Sequence, residues 1–224
     1  MPKQFLRCML LVIATNLFVV CANAQLPPLT FPTEACPTAI AGTQYNCQLE
    51  ARGGTTPRHW QIAEGKLPAG FRLAGDNGLI TGITTEVGEF TVTAAVIDSA
   101  SPANHVQRKL TIQVIAAMVV KWVEAPQVRD QGVWGKVEVT NQTPNPFNLT
   151  VIILGVNDVD KAFALGYQHF TLPPGKTSPP IPFGMSLPFG QYVVNIDSIA
   201  EVAAINMIYR VHMESNGRLV VKQP

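Results

Sequence analysis

The stretch Gly75–Phe90, GDNGLITGITTEVGEF, sets glycines at 75, 78, 82 and 88 among short apolar runs. A phosphate-binding loop places its glycines between a strand and a helix N-terminus, where aligned backbone N–H groups meet an anion. A β-protein places them in tight turns that need left-handed backbone. The residues after Gly88 decide between the two. Phe90, Val92, Ala94 and Val96 alternate with Thr91, Thr93 and Ala95, a period of two rather than 3.6. Asp76-Asn77-Gly78 then reads as a turn between strands at Phe71–Leu73 and Leu79–Thr81.

Outward from this stretch the pattern repeats. Tyr45–Ala51 and His59–Ile62 read as strands separated by the turn RGGTTP, and Leu110, Ile112 and Val114 close the pattern near Ile115. Short strands at such spacing predict a β-sandwich.

The order of residues within this region is specific. Gly42 and Tyr45 are followed by Gly53, Gly54, Pro57 and Trp60, then by Leu67, Pro68 and Gly70, then by Gly78, Ile80, Gly82 and Gly88, and finally by Asp98. This order resembles the immunoglobulin-like repeat of bacterial secreted and surface proteins over about residues 34–115. Phe71 and Thr84 depart from the family's usual Leu and Pro. The resemblance implies a small sandwich serving as a spacer, adhesive or accessory module, with no catalytic residues. Trp60 is expected in the core between the sheets, the alternative being an exposed sugar-stacking platform. Asp98 is expected to cap a turn, the alternative being a calcium ligand.

Ala116-Ala117 ends the first pattern and Met118–Val123 begins another with no long linker. Val137 and Val139 alternate with polar neighbours, and NQTPNP makes a turn. Leu149, Val151, Ile152, Ile153 and Leu154 are apolar on both faces of a strand, which is therefore either central and covered or a surface offered to a partner. Asp158 and Asp160 lie in an acidic turn, read as solvated, with calcium as the alternative. The next segment, AFALGY, is one helical turn or a further strand. The Pro- and Gly-rich run from Leu172 to Gly190 predicts an irregular or edge connection. Alternation through Tyr192, Val194 and Ile196, and through Ile205, Met207, Tyr209, Val211 and Met213, predicts the last strands, against a competing helical reading of IAEVAAINMIYRV. Val137, Val139, Asn141, Leu172, Pro174, Gly175, Gly190, Tyr192 and Val194 give residues 118–222 a weaker resemblance to adhesion-type immunoglobulin-like or fibronectin-like sandwich modules.

Compartment follows from the first residues. Lys3 and Arg7 precede the apolar run Phe5–Val20, and Ala22-Asn23-Ala24 is an A-x-A cleavage site, so residues 1–24 are read as a secretory signal peptide. Lipidation at Cys21 is the alternative, against which stands the bulk of Val20. Removing Lys3 and Arg7 from 16 basic residues leaves 14 facing 15 acidic ones, a balance that argues against a nucleic-acid partner. After cleavage no long apolar run remains to span a membrane. The mature chain keeps Cys36 and Cys47, expected to form one disulfide in an oxidising compartment.

The fold expected is therefore all-β, with residues 25–33 as an N-terminal extension, 34–116 as the first domain and 117–224 as the second. Catalysis is not expected: His59, His105, His169 and His212 are scattered, without zinc-ligand or nucleophile-elbow spacing, and neither cofactor nor resident metal is implied. Two function classes fit. One is a non-catalytic, exported protein-interaction or adhesion module of the cell envelope or extracellular space. The other is a carbohydrate-binding accessory protein that stacks a polysaccharide on Tyr167, Phe170, Phe183 and Phe189.

Overall fold

In this computed structural model residues 26–223 are described, so the expected signal peptide lies outside the described residues. The first seven strands in chain order are β1 (Ala39–Ile40), β2 (Gln44–Gln48), β3 (His59–Gly65), β4 (Phe71–Leu73), β5 (Leu79–Ile83), β6 (Gly88–Ile97) and β7 (His105–Ile115). They form one sheet ordered β1-β7-β6-β3 and another ordered β2-β5-β4. All pairings are antiparallel except β1 with β7.

The alternation read after Gly88 places Val92, Ala94 and Val96 in the core, with Ile80, Leu110, Ile112 and Val114 beside them. The turn before β5 is as expected. Gly78 sits at φ 74, its N–H donates to the Ala74 carbonyl, and the Ala74 N–H donates to the Leu79 carbonyl. A side chain there would strain the left-handed backbone and also strike Trp60, whose Cε2 lies 2.7 Å from where a Cβ would stand.

Trp60 is buried and meets Phe31 edge-on, ring centroids 4.9 Å apart. The sugar-platform alternative for Trp60 is thereby overturned. Phe31 also corrects the expected boundary. Residues 25–33 are not an appendage, because Leu29 and Phe31 are core residues and Thr30 bridges Arg52. Their short spacing and the three prolines nearby hid a segment that packs without belonging to a named strand.

The remaining strands are β8 (Met118–Arg129), β9 (Gly132–Asn141), β10 (Phe147–Asn157), β11 (Ala162–Leu172), β12 (Ile181–Ser186), β13 (Gly190–Val202), β14 (Met207–Glu214) and β15 (Leu219–Val221). A three-stranded sheet, β12-β9-β8, faces a five-stranded one, β11-β10-β13-β14, in which β15 also pairs β13. The AFALGY segment is thus strand, and the Pro-rich run contains the edge strand β12. A single 3-10 turn, Ala203–Ile205, separates β13 from β14, and Asn206 closes it in the left-handed region at φ 50. Strand therefore prevails over helix in this region, with Ile205 in the turn rather than in the ladder.

Strand β10 lies between β11 and β13. Leu149, Val151 and Ile153 face the core and are fully buried, while Ile152 and Leu154 are half-buried on the outer face. The strand is central in its sheet and both its edges are taken, so no further strand adds to it.

Candidate functional site

Cys36 and Cys47 are joined by a disulfide, with Cα atoms 5.6 Å apart. It links the segment before β1 to β2, and Cys47 is itself a core residue.

Asp98 follows β6 and is buried. One carboxylate oxygen accepts from Asn104 Nδ2 and the Thr55 N–H, both at 3.0 Å; the other accepts from the N–H groups of Asn104 at 2.7 Å and Ala100 at 3.2 Å. These donors, the Asn104 side chain first, hold the carboxyl well below the usual carboxylate range against the opposing effect of burial. With four N–H groups on its two oxygens Asp98 orders the β6–β7 loop and ties it to the connection between β2 and β3. Asp158 and Asp160 are exposed in a turn organised by Asn157, whose Oδ1 accepts from the N–H groups of Val159 at 3.2 Å and Lys161 at 2.8 Å. Among the described residues no three His, Cys, Asp or Glu side chains gather closely enough to hold a metal ion.

The four aromatic residues proposed for stacking do not form one platform. Phe183 is buried and packs against Trp122, ring centroids 5.8 Å apart, and Phe170 packs against the same core. Tyr167 and Phe189 are exposed, at 63% and 71%. Tyr167 stands level with Asp197 across β10, whereas Phe189 precedes the start of β13. At about 3.3 Å per residue the two are on the order of 25 Å apart along the strand direction, so no single short glycan stacks on both.

Two arrangements escape a reading of the sequence because they depend on pairing. The first is a polar ladder on the outer face of the five-stranded sheet. Register sets Asp197 opposite His212. His212 Nδ1 lies 3.2 Å from Asp197 Oδ1 and its Nε2 3.2 Å from Glu214 Oε1, while the Arg210 guanidinium donates to Asp197 at 3.1 Å. Glu214 and then Asp197 raise the His212 pKa above the ordinary histidine value. Burial works against the ionised form of Asp197, but hydrogen bonds from Arg210 and His212 outweigh it and hold the carboxyl low.

The second is an apolar groove of about 350 Å³ where the two sandwiches meet. Val87 comes from the first sandwich, Ala117 and Met118 from the junction, and Ile208 and Tyr209 from β14. Val87 and Ile208 are exposed, at 59% and 65%, and Ile83 and Ile205, close by in sequence to lining residues, are exposed as well. The Tyr209 hydroxyl is buried with no hydrogen-bond partner among the described residues, and burial pushes its pKa up. Only the alternation of β14 hinted at this groove, since it sets Ile208 on the face opposite Met207 and Tyr209.

No curated protein matches the chain. Among solved structures, a "putative alpha-galactosidase" from Bacteroides fragilis is 22% identical over 39% of this chain and 17% of its own, with a TM-score of 0.34. A FixG-related protein from Vibrio parahaemolyticus is 16% identical over 49% of this chain and 100% of its own, TM-score 0.31. The protocadherin γB4 extracellular domain is 12% identical over 88% of this chain, TM-score 0.34, and this chain spans 32% of it. Residues 27–115 match the family model described as "Putative Ig domain", and this stretch has the two sheets and the core tryptophan that its resemblance implied.

Proposed function

We propose that the chain is a non-catalytic, exported protein of two tandem immunoglobulin-like sandwiches behind a cleaved signal peptide, and that it binds another protein of the cell envelope or extracellular space. Residues 27–116 form the first unit and 117–224 the second. A disulfide of this kind suits an oxidising compartment, and among the described residues no helix is long and apolar enough to cross a membrane. Asp98 and the Asp197–His212 pair are engaged in holding loops and strands together.

The apolar groove at the junction carries the reading. Soluble proteins cover contiguous apolar surface unless a partner does so, and Val87 and Ile208 stand open at this groove. The test places a photo-crosslinking amino acid at Ile208 in the cells that make the protein, with Thr171, exposed at the opposite edge of the five-stranded sheet, as control. One discrete adduct from position 208, absent from position 171 and weakened by Val87→Lys, is the expected result. No adduct at 208, or equal adducts at both positions, sinks it.

A further inference from the structure

A cleft of about 570 Å³ opens on the side of the first sandwich, away from the junction groove, and the committed polar groups of the fold do not explain it. It lies within the usual size of small-molecule sites, about 300–1,000 Å³. One wall is the segment following β2. The other is the Asp76-Asn77-Gly78 turn, and Trp60 lies between them.

The walls are fixed. Gln48 Nε2 donates to the Asn77 carbonyl at 2.6 Å and to the Leu49 carbonyl at 2.9 Å, joining one wall to the other. The Arg58 guanidinium donates to the Gly53 carbonyl at 2.6 and 3.0 Å and to the Ala51 carbonyl at 3.1 Å. Side chains whose own partners are locked in this way present a preorganised surface.

Inside the cleft one donor is unspent. Trp60 is largely buried as a residue, but its indole N–H, which donates to no group among the described residues, is not one of the polar atoms sealed from solvent, and its Nε1 edge lies beside the turn, 2.8 Å from where a Cβ of Gly78 would stand. An indole N–H that reaches the cleft and is not spent within the fold is free to donate to a ligand oxygen. The rim offers both donors and acceptors. Arg52 and Glu50 pair at 3.2 Å with their side chains 73% and 57% exposed, Asp76 is exposed, and Asn77 spends only its Oδ1, on the Leu79 N–H.

Charge selects among ligands. Arg52 and Arg58 balance Glu50 and Asp76, so an anion meets two carboxylates and a cation two guanidinium groups. An added peptide strand is also disfavoured, because the N–H groups of Leu49, Glu50 and Arg52 already donate to Gly78, Thr33 and Thr30. A saccharide hydroxyl donates one hydrogen bond and accepts two, which fits a neutral rim of mixed sign. We propose that this cleft binds a neutral saccharide, with the Trp60 indole N–H as the inner donor and Arg52, Glu50, Asp76 and Asn77 as the rim contacts. The site is independent of the junction groove and of the aromatic residues at 167 and 189.

The test follows the three indole N–H signals of the 15N-labelled mature chain, from Trp60, Trp122 and Trp134, during titration with cellohexaose, chitohexaose and xylohexaose, and separately with an uncharged decapeptide. A saturable shift of the Trp60 signal by at least one glycan, with the other two signals still, is the expected result. Asp76→Ala and Arg52→Ala, both at exposed positions, are expected to weaken that binding several-fold while leaving the unligated spectrum in place. The proposal is overturned if none of the glycans moves the Trp60 signal, if only the peptide does, or if binding is unchanged in both variants. Loss of the crosslink at Ile208 leaves this outcome untouched, so the two proposals fail separately.

Discussion

In the first sandwich, sheets of four and three strands close over a core that includes a disulfide sulfur at Cys47 and one indole at Trp60. In the second, sheets of three and five strands close over a longer run of Val, Ile and Leu, with no disulfide among the described residues. Small cores bury a smaller share of their surface and are correspondingly marginal, and cross-links compensate. The first sandwich adds a second device of the same kind, the Asp98 clamp, which joins loops that no strand pairing reaches. The second has a buried amide instead: Asn141 donates to the carbonyls of Asn145, Leu172 and Pro173 and accepts from Thr143. Staples hold the smaller body where breadth of sheet holds the larger.

This contrast breaks if the two bodies unfold as one. Trp60→Ala removes the largest side chain from the first core and is expected to cost about 3–5 kcal/mol there. Urea unfolding followed by tryptophan fluorescence, reported by Trp122 and Trp134 in the second sandwich, is expected to keep the wild-type midpoint. A parallel shift of that signal would show that the junction couples the two cores. Reducing Cys36–Cys47 comes next. The closed loop is short, and its loss is expected to cost the first sandwich roughly 3 kcal/mol in the chain-entropy model. A reductant that instead lowered the second midpoint would assign the staple to the wrong body.

Asp98 sharpens the comparison through pH. Its folded pKa is depressed, so the stability it contributes is fully present above the unfolded value, about 3.9, and is lost as pH falls through the folded value. Acid is therefore expected to unfold the first sandwich before the second. Asp98→Asn cannot accept from four N–H groups, and lowers the neutral-pH midpoint of the first transition while flattening its acid limb. An unchanged acid limb in the variant would shift the blame to other carboxylates.

The sequence was most legible where one face of a strand meets the core. Phe90, Val92, Ala94 and Val96 announced β6 by period, and Asp76-Asn77-Gly78 announced its turn by backbone chemistry, since both signals are local. Leu29 and Phe31 were missed because they pack from an irregular segment with no period to read. The run Leu149–Leu154 left two options open because composition records that a strand is apolar, not which strands flank it. The aromatic set failed for a related reason: Phe183 and Tyr167 look alike in sequence, and only the pairing of β12 with β9 and of β11 with β10 sends one inward and the other out. The junction groove and the Asp197–His212 ladder join residues by register, and register is written in the whole sheet.

The smallest expected effect concerns that ladder, and it has the opposite sign to the one at Asp98. The folded pKa of His212 is raised, so its contribution is fully present below the unfolded value, about 6.5, and is lost as pH rises through the folded value. Protonated, the ring donates from both nitrogens to Asp197 and Glu214; neutral, it donates from one and leaves two carboxylates beside each other on adjacent strands. The side chain is 47% exposed, so solvent and salt screen most of this. The second transition is expected to soften slightly as pH rises above about 6.5 at low ionic strength, to lose that slope in His212→Gln, and to lose most of it in concentrated salt. A slope that survives His212→Gln would mean that the second sandwich senses pH elsewhere, and the division of labour would then be acid sensitivity at the loop clamp alone.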